Sequence, residues 1–300
     1  MGTSIETLAT SWKLSLRSRR RSPKTVRSYL ESLEQLRVFL VANDMPTDVE
    51  KIEKYHVESF IVDVQDRCAP ATAAVRYRSL QQFFQWAVAE DEIDDTPMRK
   101  MTAPFVPETT IPVVTPDQLS ILLATCSSKS FVDRRDNSII RMFADTGMRR
   151  AELGGLLVGH IDLDTLTASV TGKGSRPRSV PFGATSATAL VRYLREREKH
   201  SHASSAALWL GHAGPFTGDG IAQMIRRRGR EAGLADLHCH VFRHSFAHNW
   251  LASGGTEGGL MRVGGWRSRA MLDRYGASAA DERAHDEFRR LDLGARAKAS

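Results

Sequence analysis

A proline-rich stretch about a third of the way along the chain limits how the 300 residues can fold. Residues 96–114 contain four prolines and no periodic apolar pattern. Proline removes a backbone donor and biases the residue before it toward extended conformations, so neither a helix nor a central strand runs through such a stretch. A chain of this length corresponds to roughly two domains of ~100–200 residues each. We therefore predict a helical domain over residues 1–100, a linker over 101–114 and a second domain over 115–300.

The N-terminal part has the spacing of α-helices. Ser22 and Pro23 are typical of an N-cap followed by proline at the first helical position. Apolar residues then recur at helical intervals and predict one buried stripe, made of Val26, Tyr29, Leu33, Leu36 and Leu40. A shorter helix is expected over residues 56–66. A longer helix is expected over Pro70–Ala89, with a buried set of Val75, Leu80, Phe83, Phe84, Ala87 and Val88.

The second part combines helices with a short extended region. Thr115 and Gln118 are typical of a capping box, and Gly147 follows a helix predicted over residues 137–144. Alternation at Leu166, Ala168 and Val170, with turns at 162–165 and 172–175, predicts three short antiparallel strands. Further helices are expected over 186–199, 221–232 and 237–252. The predicted fold is mainly α with a small antiparallel β-sheet.

The composition of the chain favours a polyanionic binding partner. Lys and Arg number 42 against 35 Asp and Glu, which gives a net charge of +7 and a pI of about 9.5. Such an excess suits a polyanion. Cys68, Cys126 and Cys239 are far apart, which argues against a disulfide framework or a structural zinc site and for a reducing cytoplasm. We expect no signal peptide, no membrane span and no cofactor.

Two groups of basic residues are candidates for DNA contact. The first lies at the helix starts and outer faces of the N-terminal domain and consists of Arg20, Arg21, Lys24, Arg27, Arg76 and Arg78. The second lies on the helix predicted at 221–232, where arginine and glutamine can read guanine and adenine edges bidentately, and consists of Gln223, Arg226, Arg227 and Arg228. The alternative for both groups is a solvated basic face.

Four short segments carry the residues that suit chemistry at a phosphodiester. They are TGMRRAEL (146–153), TGKGSRPR (171–178), HVFRH (240–244) and MRVGGWRSRAMLDRY (261–275). A phenol has a pKa of about 10 and is a poor nucleophile at neutral pH unless bases and cations surround it. The segments offer such groups around Tyr275, namely Arg149, Lys173, His240, Arg243 and Trp266.

The order and spacing of these segments resemble the tyrosine recombinases, the family of phage integrases and of Xer and Cre recombinases. TGMRRAEL resembles the first-arginine box, HVFRH resembles the HxxRH box, and GGWRSRAMLDRY resembles the terminal box with its tyrosine. TGKGSRPRSVP resembles the lysine-bearing hairpin. Trp266 replaces the usual histidine, as in the Cre branch, and Phe242 stands where leucine is common. The N-terminal helices resemble the core-site DNA-binding domain, and the simple two-domain form without an arm-binding domain is expected.

The resemblance implies a fold and a set of roles. The fold would be a SAM-like helical core-binding domain followed by an α+β catalytic domain. Arg149 and Arg243 would clamp the phosphate oxygens through their forks, which lysine cannot copy. Lys173 would protonate the leaving 5′ oxygen, His240 would accept the Tyr275 proton or bond the phosphate, and Trp266 would donate its indole N–H. Glu152 and His244 would orient these groups.

The resemblance also implies a reaction and an assembly. Attack by Tyr275 would give a 3′-phosphotyrosyl enzyme and a free 5′-hydroxyl, and two rounds would pass through a Holliday junction. Double-stranded DNA would be the substrate, without metal or ATP. Four protomers would associate, each docking a C-terminal helix (around 281–293, with the stripe Ala284, Phe288 and Leu291) on a neighbour or on itself. A directionality factor and a cytoplasmic location are further expectations.

Two other functions remain open from the sequence. A type IB topoisomerase shares the two-arginine, lysine, histidine and tyrosine set, but it relaxes supercoils as a monomer without a partner duplex. A catalytically silent DNA-binding accessory protein is the second alternative, although none of the core residues is lost.

Overall fold

The computed structural model describes residues 3–107, 112–171 and 177–266, together with 268, 272, 284, 285 and 288–291. The chain forms two compact units, residues 1–109 and 110–300. The first unit contains four helices among its described residues, α1 (Ile5–Ser18), α2 (Pro23–Ala42), α3 (Lys54–Arg67) and α4 (Pro70–Ala89), with a 3₁₀ turn at Val49–Lys51.

Helix α2 starts where its capping residues predict. Ser22 has an extended backbone and its side chain accepts a hydrogen bond from the Thr25 amide, with Pro23 in the first turn of α2. The predicted stripe on α2 is confirmed in that Val26, Leu33, Leu36 and Leu40 are buried, while Tyr29 is partly buried. Helix α4 begins and ends at the predicted residues.

Aromatic side chains fill the centre of this unit. The Trp12 ring stacks on Tyr29 with centroids 5.6 Å apart and meets Phe83 edge-on at 5.2 Å. Phe83 and Leu80 are completely buried. Val75 was expected in the same core but is 40% exposed. In the first two turns of α4 the buried residues are Ala73, Ala74 and Tyr77, which share one side of the helix, and Val75 lies outside that side.

The first helix of the second unit begins at the predicted capping box. Thr115 and Gln118 satisfy each other's backbone groups at the start of α5 (Pro116–Ala124). Helix α6 (Phe131–Thr146) is longer than predicted because Ser130 caps it one and a half turns earlier. Gly147 ends α6 at φ +56, and α7 (Arg150–Gly154) follows. A 3₁₀ turn at Val158–His160 leads into the sheet.

The small antiparallel sheet is confirmed. Strands β1 (Ile161–Asp162), β2 (Thr167–Thr171) and β3 (Pro177–Pro181) lie in sequence order, and Ala168 pairs with Val180 in the core. Leu166, which we expected to begin the strand, lies in the turn before it at φ +51 and packs on the core from there.

The remaining elements complete the second unit. They are α8 (Ala184–Arg197), a hairpin of β4 (Leu210–Gly211) and β5 (Gly214–Pro215), α9 (Gly218–Glu231), α10 (Cys239–Ala252) and α11 (Glu257–Gly264). Phe143 of α6 stacks on Phe242 of α10 with centroids 5.7 Å apart, so α10 is held against α6. Tyr193 is fully buried and donates to the Leu208 carbonyl, as its place in the apolar pattern predicts.

Other expectations concern the tail and the membrane. In the described part of the C-terminal segment, Phe288 is 65% exposed and Leu291 is 45% exposed, so these two side chains are uncovered within this chain. No helix in the described ranges has the length and apolar content of a membrane span.

The burial pattern of the N-terminal unit predicts unequal responses to the same substitution. Leu80→Ala removes a fully buried side chain, whereas Leu14→Ala removes one that is 71% exposed, and both lie inside helices. We expect Leu80→Ala to lower the free energy of unfolding by about 2–5 kcal/mol because it leaves a cavity. Leu14→Ala should change it by less than about 0.5 kcal/mol. Urea denaturation followed by circular dichroism measures both, and equal losses would contradict the packing described above.

Candidate active site

The turn between α6 and α7 places Arg149 at the surface of the second unit. Gly147 is required there, because its φ of +56 favours glycine and a Cβ would come within 2.5 Å of the Phe246 ring. Arg149 is the N-cap of α7, and its side chain is 37% exposed. Its Nη1 donates to Glu152 Oε1 at 2.8 Å, and its Nη2 donates to the Gly265 carbonyl at 2.9 Å. The guanidinium is therefore fixed by two hydrogen bonds, while the side chain as a whole remains partly exposed.

Glu152 is a buried carboxylate held by two arginines. It accepts from the Arg149 amide at 2.9 Å as well as from the Arg149 side chain. Arg178 of β3 adds a fork, with Nη1 to Oε1 and Nη2 to Oε2, both at 2.9 Å. Burial by itself would raise the pKa of Glu152, but the hydrogen bonds from Arg178 and from the Arg149 amide outweigh it and lower the pKa to about 2.

Arg243 lies deeper than Arg149. It is 2% exposed on α10, and its Nη1 donates to the Gly147 carbonyl while its Nη2 donates to the Gly264 carbonyl, both at 2.8 Å. The guanidinium carbon lies 3.7 Å from the centroid of the Trp266 ring, which is the geometry of a cation–π contact. The structure thus brings Arg149, Arg243 and Trp266 together around the turn at Gly147.

The two histidines of the HVFRH segment lie on one face of α10. The rings of His240 and His244 meet edge-on with centroids 4.5 Å apart. Desolvation, followed by the charges of His240, His238 and Arg243, lowers the pKa of His244 to about 4. His240 keeps an exposed side, yet the groups packed around it partly desolvate its ring and, with Arg243, His238 and Arg149, also lower its pKa. Neutral His240 therefore has a ring nitrogen that can accept a proton.

The carboxyl end of α11 meets three different arginines. The carbonyl of Val263 accepts from Arg178 Nε at 3.0 Å, and the next two carbonyls accept from Arg243 and Arg149. Gly265 caps the helix at φ +67, and Trp266 follows directly. Cationic donors are favourable at this end of a helix because its last carbonyls have no partner within the helix.

Lys173 and Tyr275 lie outside the described residues. In the chain, Lys173 belongs to the connection between β2 and β3. Leu272, three residues before Tyr275, is buried in a cluster with Trp266, Leu260 and Phe246.

Sequence reasoning left Arg178 without a role. The residue belongs to the TGKGSRPR segment, but its ion-pair partner Glu152 lies 26 residues earlier in the chain. The sequence shows only that Arg178 lies in the same segment as Lys173, in a predicted strand. This position does not reveal that its ion-pair partner is Glu152.

Most of the predicted DNA-contact residues are exposed, whereas two of them are held inside the protein and are not available to DNA. The exposed ones are Arg20, Arg21, Lys24, Arg27, Arg78, Gln223, Arg226 and Arg227. Arg76 has a side chain only 12% exposed and joins α4 to α2 through Ser32 at 3.1 Å and Glu31 at 3.2 Å.

Arg228 corrects the prediction for α9. It is 7% exposed and turned into the unit, where its guanidinium pairs with Asp136 at 2.9 Å, with Asp133 and with Glu231, and donates to the Thr125 carbonyl at 2.6 Å. The sequence could not separate it from its neighbours because three consecutive arginines necessarily span more than half of a helix circumference. Arg228 is a structural residue in this fold.

Among the described residues, no group of three or more histidine, cysteine or acidic side chains could hold a metal ion. The described polar groups at the centre of the site are guanidinium groups, one carboxylate and imidazole rings.

Comparison with known proteins identifies the family. The sequence profile of the phage integrase family matches residues 112–282, and that of the phage integrase N-terminal SAM-like domain matches residues 8–94. The chain belongs to the phage integrase family. The predictions of this family, of its fold and of a site-specific tyrosine recombinase are therefore confirmed.

Relatives of known name are similar over most of the chain. Tyrosine recombinase XerC of Chromohalobacter salexigens is 32% identical over 77% of this chain and 78% of its own. Tyrosine recombinase XerC of Lacticaseibacillus casei is 27% identical over 79% of this chain and 82% of its own.

Solved structures share the fold at lower identity. The Tn1549 transposon integrase, solved with transposon right end DNA, superposes with a TM-score of 0.76 at 18% identity and covers 96% of this chain and 99% of its own. A lambda integrase tetramer bound to a Holliday junction gives a TM-score of 0.73 at 15% identity, over 91% of this chain and 77% of its own.

The pKa of Glu152 predicts a pH-dependent effect of its neutralisation. The folded-state value of about 2 lies below the ordinary 4.5, so the charged form stabilises the fold above pH 4.5 and this contribution disappears as pH falls toward 2. We expect Glu152→Gln to lower the free energy of unfolding at pH 7 by about 3 kcal/mol, and the difference from wild type should shrink below pH 4.5.

Glu196→Gln serves as the matched control. Glu196 pairs with Lys199 on the surface of α8, and the Lys199 side chain is 70% exposed. This substitution should cost less than about 1 kcal/mol. Denaturant titrations of both variants between pH 7 and pH 3 measure the difference, and a Glu152→Gln effect that stayed constant across this range would contradict the assignment.

Proposed function

We propose that this recombinase breaks and rejoins DNA with Tyr275 as the nucleophile and with Arg149 and Arg243 as the clamp on the scissile phosphate. The observation that carries the proposal is the convergence of both guanidinium groups on the end of α11, next to Trp266 and nine residues before Tyr275 in the chain. Preorganised donors of this kind stabilise the charge of a phosphoryl transition state.

The cleavage step forms one bond, breaks one bond and moves two protons. The Tyr275 oxygen attacks phosphorus, the bond from phosphorus to the 5′ oxygen breaks, and a 3′-phosphotyrosyl link forms. His240, which is neutral at pH 7, accepts the phenol proton or bonds the phosphate. Lys173 protonates the departing 5′ oxygen. Trp266 bonds the phosphate through its indole N–H and packs against Arg243.

The supporting groups have distinct parts. Glu152 orients Arg149, since it accepts from both its amide and its side chain. His244 supports His240 by ring contact. In the reverse step, the 5′-hydroxyl of another strand attacks the phosphotyrosine and releases Tyr275. The covalent link conserves the energy of the phosphodiester bond, so no ATP is required, and two rounds of exchange pass through a Holliday junction.

DNA binding and assembly complete the proposal. Residues 1–100 bind the core site with Arg20, Arg21, Lys24, Arg27 and Arg78, residues 101–114 link the domains, and residues 115–300 catalyse the reaction and present Gln223, Arg226 and Arg227 to DNA. Four protomers hold two sites together, as the lambda integrase tetramer holds its junction. The exposure of Phe288 and Leu291 within this chain supports docking of the C-terminal helix on a neighbour. We place the reaction in the bacterial cytoplasm, at integration or excision sites where a directionality factor acts.

The nucleophile can be tested with a nicked suicide duplex that carries the core site. Wild type should form a covalent protein–DNA band on a denaturing gel, and Tyr275→Phe should form none because the attacking oxygen is gone. Tyr55→Phe is the matched control, since Tyr55 is 65% exposed in the N-terminal unit and should leave the band unchanged.

The same assay separates the alternatives. Transfer of the trapped strand to a second duplex supports the recombinase. Relaxation of supercoiled plasmid without any preference for the core site would favour the topoisomerase. Tight binding to a genuine core site without a band would refute Tyr275 as nucleophile and favour the accessory protein.

Arg226 and Arg228 point in different directions from α9, so their substitutions should have different effects on DNA binding and stability. Arg226→Ala removes an exposed cation, so we expect weaker DNA binding and a salt slope smaller by about 1. Arg228→Ala breaks a buried ion-pair network and should destabilise the fold by about 3–5 kcal/mol, without changing the salt slope of the folded fraction. Fluorescence anisotropy against salt and thermal melting measure these effects, and a reduced slope in Arg228→Ala would contradict its placement.

A further inference from the structure

One arginine of the site joins its own strand to two other segments, and each of the three leads to a residue of the proposed chemistry. Arg178 lies on β3, which follows the connection that contains Lys173. Its Nη1 and Nη2 donate to Glu152, which holds Arg149 on α7. Its Nε donates to the Val263 carbonyl at the end of α11, three residues before Trp266.

The geometry separates Arg178 from the phosphate clamp. All three of its nitrogens already donate within the protein, and two of them form a fork with both oxygens of the buried Glu152 carboxylate. Its guanidinium also packs on Gly265, where a Cβ would lie 3.0 Å from Arg178 Cζ. The Arg149 side chain, in contrast, is 37% exposed. Arg178 is therefore placed to hold the site rather than to touch the substrate.

The charges explain why a second arginine is needed. Glu152 alone beside Arg149 would cancel the positive charge that the phosphate requires. Because Arg178 pairs with both carboxylate oxygens, Glu152, Arg149 and Arg178 together carry a net charge of +1. Because a guanidinium fork matches a carboxylate in one plane, the pair also fixes the orientation of Glu152 and, through it, of Arg149.

We propose that Arg178 is a positioning residue for strand cleavage, which joins Glu152 to the end of α11 and so aligns Arg149 with the segment that carries Trp266 and Tyr275. This inference rests on the proposed function, since it takes Arg149 as a phosphate ligand and Tyr275 as the nucleophile. It assigns to Arg178 a contribution to the rate of the bound complex and not to DNA affinity.

The test uses the full chain and the nicked suicide duplex at saturating DNA under single-turnover conditions. Arg178→Met keeps much of the apolar part of the side chain but removes the positive charge and the guanidinium fork. Arg178→Lys keeps the positive charge but not the fork. Arg195→Ala is the control, because it removes an exposed arginine from α8, a helix that carries none of the proposed site residues. We expect the saturating cleavage rate to fall about 100-fold for Arg178→Met and about 10-fold for Arg178→Lys. The Kd for DNA should stay within about threefold of wild type, and Arg195→Ala should match wild type in both.

A double-mutant cycle distinguishes positioning through Glu152 from general support of the fold. Glu152→Gln removes the charge that Arg178 compensates, so the double variant Glu152→Gln/Arg178→Met should cleave no more slowly than Arg178→Met alone. Losses that multiply would overturn the proposal, as would a saturating rate for Arg178→Met within about threefold of the Arg195→Ala rate. If Arg178→Met does not fold, Arg178→Lys and its combination with Glu152→Gln give the same cycle.

Wild type and Tyr275→Phe run beside these variants. Absence of a covalent band in wild type on a genuine core site would refute the proposed function itself. A band in wild type together with an unchanged rate in the Arg178 variants would refute only the role of Arg178.

Discussion

The buried carboxylate of Glu152 is the interaction on which the geometry of the site depends. A single negative charge, almost removed from solvent, is compensated by Arg149 on one side and by Arg178 on the other. A buried charge without partners is costly, so the two arginines and the carboxylate hold one another in place. The net result is a fixed positive group that faces the surface, which is what recognition of a phosphate requires.

The end of α11 extends this constraint to the part of the chain that leads to Tyr275. Three successive carbonyls accept from three arginines that come from β3, α10 and the start of α7. The last carbonyls of a helix lack hydrogen-bond donors within the helix, and a guanidinium has several N–H groups that need acceptors. The two kinds of group therefore hydrogen-bond to each other. Elements far apart in sequence thereby converge on the turn that precedes Trp266.

Arginine serves two opposite purposes in this protein. On α9, Arg226 is exposed and Arg228 is buried in an acidic cluster around Asp136, although they are two residues apart. On α4, Arg78 is exposed while Arg76 ties the helix to α2. The positive net charge therefore overstates the number of cations available to DNA, because several of them neutralise carboxylates inside the units.

Local sequence patterns are enough to predict helices such as α2 and α4, several of their caps, the three-stranded sheet and the family. These follow from local chemistry: Ser22, Thr115 and Gly147 act on their own backbone neighbourhoods, and apolar spacing repeats within each element. Tertiary packing determines that Val75 is exposed, that Arg228 is structural and that Arg178 joins Glu152 to α11. Those outcomes depend on pairs such as Arg178 and Val263, 85 residues apart, whose contact is set by how whole elements pack. A side chain's type limits what it can do, but its role is fixed by the partners that packing brings to it.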